Sequence, residues 1–278
     1  MNTAPSLRDL QLKILEILDI VIRICEDYHI QYSLCGGTVV GAHLYKGFLP
    51  WDDDVDLMMT RENYNRFLEV TPSCLPEGYS LVNYQMEDAL STRLMMNFSK
   101  VMDNRTTYVH NEGYIMGVFV DITVYDRVPK GMLRYVDLFL YRWVMSVNRG
   151  HLTGRSIKNM FRNFLLDHVL PERIRFLRFY QRVVMRLSHT QRYTYRELFG
   201  AYYYKNLIAY RPSVFEHYTT IDFEGRQCMI VRDYVEYLQT RYDRTDFHEP
   251  PLKQVPLHYV YFDPIIPYKD YVNAKHTS

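Results

Sequence analysis

The sequence predicts an α/β chain of the α+β kind. A mixed-sheet core spans residues 1–128, and a mainly helical, basic and aromatic region ending in a proline-rich strap spans 129–278. Three observations point there. Leu7, Leu10, Ile14, Ile17, Val21, Ile24 and Tyr28 recur at helical spacing. Two apolar runs, Val55 with Leu57–Met59 and residues 114–124, read as buried strands, yet each holds aspartate. At Pro129 the character changes: residues 130–192 carry 13 Lys or Arg against 3 Asp or Glu, a net +10 in a chain whose total is +1.

With 278 residues, 47% hydrophobic and 23% charged, the chain suits one large or two small globular domains with a real core. Cys25, Cys35, Cys74 and Cys228 lie far apart, which disfavours a disulfide framework or a zinc site and fits a reducing cytoplasm. The N-terminus reads as polar and then amphipathic, unlike a signal peptide, and no apolar run approaches bilayer length.

In chain order, residues 6–29 form a packing helix opened by a capping box, Ser6 with Asp9. A short strand over 30–35 ends at Gly36-Gly37-Thr38, and 38–46 makes a short helix carrying Lys46. Residues 61–70 form a helix with Tyr64, Phe67 and Leu68 inward; Pro72, Pro76 and Gly78 mark a loop. Strands follow over 79–84, 93–102 and 114–124, then helices over 132–147 and 156–168. Pro171 opens a third helix bearing Arg175, Arg178, Arg182 and Arg186 as a stripe. Residues 192–210 are tyrosine-rich, 229–242 read as a helix, and Pro250, Pro251, Pro256, Pro264 and Pro267 give an extended strap.

The chemistry concentrates in residues 34–59. Trp51-Asp52-Asp53-Asp54-Val55-Asp56-Leu57 puts four carboxylates in five positions. In extended chain Asp52, Asp54 and Asp56 share a face, where their repulsion costs on the order of a few kcal/mol unless a cation intervenes. A hard divalent ion with oxygen ligands, Mg²⁺ (or Mn²⁺), reverses that sign; the plain alternative is a solvated acidic turn after Pro50. Glycines at a strand-to-helix turn let amides approach a phosphate, so Gly36, Gly37 and Thr38 are phosphate-cradle candidates. A glycine turn followed by strand-borne Asp-x-Asp is the arrangement of nucleotidyltransferase-type folds. Asp121, inside the apolar 114–124 run, needs a partner: the same metal, or a buried salt bridge to an arginine. Lys46 and Lys100 are phosphate contacts or solvated surface lysines, and Asp126 is a substrate-binding candidate.

The segment GGTVVGAHLYKGFLPWDDDVDLMMTRENY resembles the signature of the LicD family, which takes in the fukutin-related proteins. The resemblance continues at Val120-Asp121-Ile122 and Tyr125–Pro129, and loosely at Tyr237–Asp243 and Glu249-Pro250-Pro251. Leu44 stands where the family has an arginine, and the glycine it places between Tyr242 and Asp243 is missing. If that arginine grips a phosphate, another residue does so here or the donor differs.

The resemblance implies a nucleotidyltransferase-like core and a metal-dependent transferase. Such an enzyme moves a phospho-alcohol, foremost phosphocholine, from a CDP-linked donor (CDP-choline) to a hydroxyl of a lipid-linked or cell-surface glycan or teichoic acid precursor. On this reading Asp54, Asp56 and Asp121 hold Mg²⁺ with Asp52, Lys46 favours a site role, and Asp126 and His248 are the candidates for taking the acceptor proton. The alternatives are a nucleotidyltransferase releasing pyrophosphate, or a non-catalytic glycan- or membrane-binding scaffold. The basic region suits peripheral contact with an anionic membrane on its inner face; no basic-aromatic sheet or helix-turn-helix pattern points to nucleic acid.

Overall fold

The computed structural model describes residues 5–83, 98–111, 113–129, 156–168, 179, 182–183, 186, 193–197, 208–247, 249 and 257–277. The chain divides into two compact units. One comprises Met1–Leu94, Phe98–Val124 and Ser213–Ser278; the other Met95–Asn97 and Tyr125–Pro212. Residues 213–278 therefore cluster with the N-terminal core, and the strand that leaves that core passes into the second unit after Val124.

The first unit is built on α1 (Leu7–Asp27). Its capping box is complete: the Ser6 hydroxyl accepts from the Asp9 amide, and the Ser6 amide donates to the Asp9 carboxylate at 2.7 Å. Leu10, Ile14, Ile17, Leu18, Val21 and Ile24 lie in the core. The sheet of this unit runs β1 (Ser33–Leu34), β2 (Asp56–Thr60), β5 (Ile115–Pro129), β4 (Phe98–His110) and β3 (Tyr79–Asn83), in that spatial order. β9 (Tyr259–Asp263) takes the edge of β4 beyond the point where β3 leaves it, opposite Thr107–His110. α2 (Gly36–Tyr45) joins β1 to the acidic stretch, and α3 (Arg61–Cys74) follows β2. α3 runs past Pro72 to Cys74, further than the 61–70 helix expected, because a proline near the last turn forfeits only one internal hydrogen bond.

The helix expected over 229–242 begins only at Tyr234, as α5 (Tyr234–Tyr242). Residues up to Val231 form a hairpin instead, β7 (Tyr218–Phe223) with β8 (Arg226–Val231). Its two turn residues, Glu224 (φ 54°) and Gly225 (φ 75°), are both left-handed, which matches the twist of the strands they join. The hairpin is stapled to β1, since Met229 N donates to Tyr32 Oη and Val231 N to Ser33 Oγ. Its turn grips the far end of α2: Glu224 N donates to Lys46 O at 2.7 Å, and Arg8 pairs with the Glu224 carboxylate. The chain closes on α6 (Tyr268–Thr277).

In the second unit β6 (Tyr193–Glu197) pairs with Tyr125–Pro129 of β5, and α4 (Ile157–His168) matches the helix expected there. The expected helix at 132–147 lies outside the described residues. So do Arg175 and Arg178; residues 179, 182, 183 and 186 are helical. None of the four cysteines is in a disulfide. No helix among the described residues is long and apolar enough to cross a membrane.

Gly41 sets how closely the acidic stretch returns over α2. A Cβ there would overlap the Gly47 carbonyl oxygen and stand 2.8 Å from the Leu49 amide, both backbone atoms with no rotamer to escape into. Gly41→Ala is expected to destabilise the fold by about 1–3 kcal/mol, measured by urea denaturation; an unchanged midpoint would refute this close packing.

Candidate active site

Four carboxylates arrive together because the chain from Asp52 to Asp56 is extended although only Asp56 belongs to a strand. The alternation holds through it. Asp53 and Val55 are buried, while Asp52, Asp54 and Asp56 are half-buried on the other side. Two backbone contacts bracket Asp56: Cys35 N donates to its carbonyl at 3.0 Å, and its own amide donates to Thr38 Oγ1 at 3.0 Å. Thr38 is therefore a buried positioning group of the glycine turn. On the next strand, Asp121 N donates to Val55 O at 3.0 Å, which places the second acidic strand directly beside the first.

The glycine pair lies against the carboxylates. Gly36 has φ +58°, a conformation that favours glycine, and a Cβ there would come 3.2 Å from Asp56 Oδ2. At Gly37 it would come 3.2 Å from Asp52 Oδ2. α5 reaches the same turn from 201 residues away: the Gly36 amide donates to Tyr237 Oη at 3.1 Å. The Arg241 guanidinium, one helical turn on, lies 3.7 Å from where that Gly36 Cβ would be.

Electrostatically the cluster is under stress. Burial, then the charges of Asp56 and Asp53, push the Asp52 carboxyl up to about 7. Desolvation, followed by the charge of Asp52, holds Asp54 well above the usual carboxylate range, and Asp121 adds to that effect. Asp52 Oδ2 is buried and takes no hydrogen bond from the described residues. A buried, unpartnered oxygen in an all-carboxylate group is the donor chemistry a hard divalent cation satisfies.

Asp53 is different. It accepts from His258 N at 2.7 Å and Tyr259 N at 3.3 Å, from Tyr108 Oη at 3.4 Å, and bonds His258 Nδ1 at 2.9 Å. That bond to Asp53, with the charges of Asp54 and Asp52, raises His258 to about 9, so the ring is cationic at neutral pH. Oxygens of Asp53 and Asp54 and a ring nitrogen of His258 lie within 4.8 Å of one another, a second grouping that suits a divalent metal once the ring gives up its proton. The sequence reading missed this anchor. The parity that turned Asp52, Asp54 and Asp56 one way implied that Asp53 turned the other, but its partner is 205 residues away with no local mark.

The other sequence candidates scatter. Lys100 and Asp121 face each other in register on β4 and β5, and Lys100 Nζ donates to Asp121 Oδ1 at 2.6 Å with both side chains buried. The ammonium also sits 3.5 Å from the Phe119 ring centroid. An ion pair for Asp121 was one of the two readings of that strand; its partner is a lysine, not an arginine. Lys46 is exposed at the opposite end of α2 from the glycines, about 15 Å along the axis. Asp126 is buried in the second unit, in register opposite Arg196. His248 lies outside the described residues.

Residues 29–132, which contain the glycine turn and Asp52, Asp53, Asp54, Asp56 and Asp121, match the family model described as LicD/FKTN/FKRP, nucleotidyltransferase domain. Over that stretch the chain is similar to the LicD family. A curated relative, the lipopolysaccharide cholinephosphotransferase LicD of Haemophilus influenzae, is 29% identical over 269 residues, covering 92% of this chain and 96% of that one. The LicD match ends before Tyr237, Arg241 and His258, so the described site extends beyond the matched domain.

Two outcomes test this division of labour in metal-free buffer. Asp53→Asn should lower stability by about 2–3 kcal/mol, because one amide cannot replace two charged acceptors, whereas Asp52→Asn should leave the melting temperature unchanged or raise it. Equal losses in both would remove the distinction. Asp121→Asn should also lower stability, by about 1–3 kcal/mol, and combining it with Lys100→Met should recover part of that loss; simple additivity in the double-mutant cycle would show that the pair is not coupled.

Proposed function

We propose that this chain is a metal-dependent transferase that moves a phospho-alcohol, foremost phosphocholine, from a CDP-linked donor to a hydroxyl of a cell-surface glycan precursor. The observation that carries the reading is the meeting of the Gly36-Gly37 turn with the Asp52 and Asp56 carboxylates at the mouth of α2. Its support is the family match together with the relative named as a lipopolysaccharide cholinephosphotransferase.

In this proposal Asp52, Asp54 and Asp56, with Asp121 behind them, hold Mg²⁺ or Mn²⁺. The ion supplies charge neutralisation to the donor diphosphate. Thr38 and Cys35 hold Asp56 in place through its backbone. The α2 N-terminus offers its amides to a phosphate oxygen, and the absence of side chains at Gly36 and Gly37 leaves room for close approach. Arg241 supplies a cation at this turn. Lys100 pairs with Asp121 and orients it rather than reaching the donor. The acceptor hydroxyl oxygen forms a bond to the phosphorus bearing the alcohol and releases its proton to water, the phosphoanhydride bond to CMP breaks, and CMP leaves with the electron pair. Such chemistry asks the protein chiefly for positioning and charge.

The test is product analysis with a panel of CDP-alcohols, a divalent metal and a lipid-linked or teichoic-type acceptor. CMP release with alcohol phosphate on the acceptor is expected. Pyrophosphate as product would establish nucleotidyl transfer instead, and no turnover with any donor would favour a binding scaffold. Asp54→Ala and Asp56→Ala are each expected to lower turnover at least about 10³-fold while melting no lower than wild type; full activity in either would sink the assignment.

A further inference from the structure

α4 is amphipathic and turned inside out. Ile157, Met160, Phe161 and Phe164 follow one another at i, i+3, i+4 and i+7, so they form one stripe. In a helix packed on a water-soluble domain that stripe faces the core. Here the four side chains are 84%, 62%, 63% and 53% exposed, while the polar Asn159 and Asn163 are the half-buried ones. Phe179 of the same unit is another large apolar side chain facing water. Leaving three phenylalanines and two aliphatic side chains in water forfeits burial that a simple rotation of the helix would recover. The stripe is larger than the scattered single exposures normal on protein surfaces.

The charge of the sequence region that holds the stripe selects its occupant. Residues 130–192 carry a net +10, and Lys158, Arg182 and Arg186 are exposed. A second copy of the chain would press this positive surface against itself. An anionic bilayer answers both features at once, apolar side chains entering the headgroup–acyl boundary and basic ones meeting lipid phosphates.

We propose that the exposed face of α4 is a membrane-insertion surface, in which Ile157, Met160, Phe161 and Phe164 enter the interface of an anionic bilayer and Lys158, with the other basic residues of the 130–192 region, draws it there. This stands independently of the transfer reaction, since it rests on the second unit alone. It also goes beyond attraction by charge, because it names the side chains that enter the lipid.

The experiment uses the full chain and vesicles of phosphatidylcholine with or without phosphatidylglycerol, at about 0.1 M and about 0.5 M salt. Co-sedimentation is expected with the anionic vesicles only and should weaken in the higher salt. Phe161→Ser/Phe164→Ser should lower the partition coefficient at least about tenfold with the melting temperature unchanged, since both side chains already face water. As a second readout, Phe161→Trp should shift its emission to the blue on anionic vesicles and be quenched by lipids brominated near the headgroup end of the acyl chain. Failure to sediment, equal binding to neutral vesicles, an unaltered partition coefficient in the double variant, or a tryptophan that stays in water would each overturn the proposal. So would a dimer, seen by analytical ultracentrifugation, that the double variant abolishes, because the stripe would then be a protein interface.

Discussion

Like charge confined to a small space is the constraint on which this site depends. Two carboxylates about 5 Å apart repel by about 3 kcal/mol at the effective dielectric of a protein surface, and five of them converge here. The protein answers two. Asp53 receives the backbone of β9 and a cationic imidazole, and Asp121 receives Lys100. Burial first, and neighbouring carboxylates after it, displace the carboxyls of Asp52 and Asp54 toward the neutral form. The fold gives Asp53 and Asp121 close partners and leaves Asp52 Oδ2 buried with no hydrogen bond among the described residues.

The glycine turn belongs to the same economy of space. Side chains at Gly36 and Gly37 would stand against Asp56 and Asp52, so the glycines serve the carboxylates as much as any phosphate. α5 closes the turn from the other side with a phenol and a guanidinium. Three distant segments thus meet within one helical turn of α2: the acidic stretch, the glycine turn and α5.

Much of this was legible in the sequence where the signal was local. The capping box at Ser6, the apolar face of α1, the short helix after the glycines and the alternation through Asp52–Asp56 all follow from neighbours along the chain. The features that were not legible depend on pairs far apart in sequence. His258 carries no motif and becomes meaningful only once β9 pairs with β4. Tyr237 and Arg241 sit in a loosely conserved-looking stretch whose packing against α2 no periodicity reveals. The β7–β8 hairpin did have a local mark, the two-residue Glu224-Gly225 turn, but Met229–Val231 also fit the apolar pattern of a helix start, and short apolar runs do not distinguish the two. Lys46 shows the opposite error: a residue close in sequence to both halves of the site is carried to the far end of α2 by ten residues of helix.

The bond between Asp53 and His258 also has a temporal side. A ribosome adding about 5–20 residues per second makes residue 258 on the order of 10–40 s after residue 53. Throughout that interval the acidic stretch exists without its anchor, and the nascent chain holds a cluster of unanswered negative charge. Closing so long a loop is entropically slow to reward. The active-site region is therefore among the last parts of the first unit to mature, and a chain halted anywhere before β9 keeps its glycine turn and its aspartates but not the clamp that orders them.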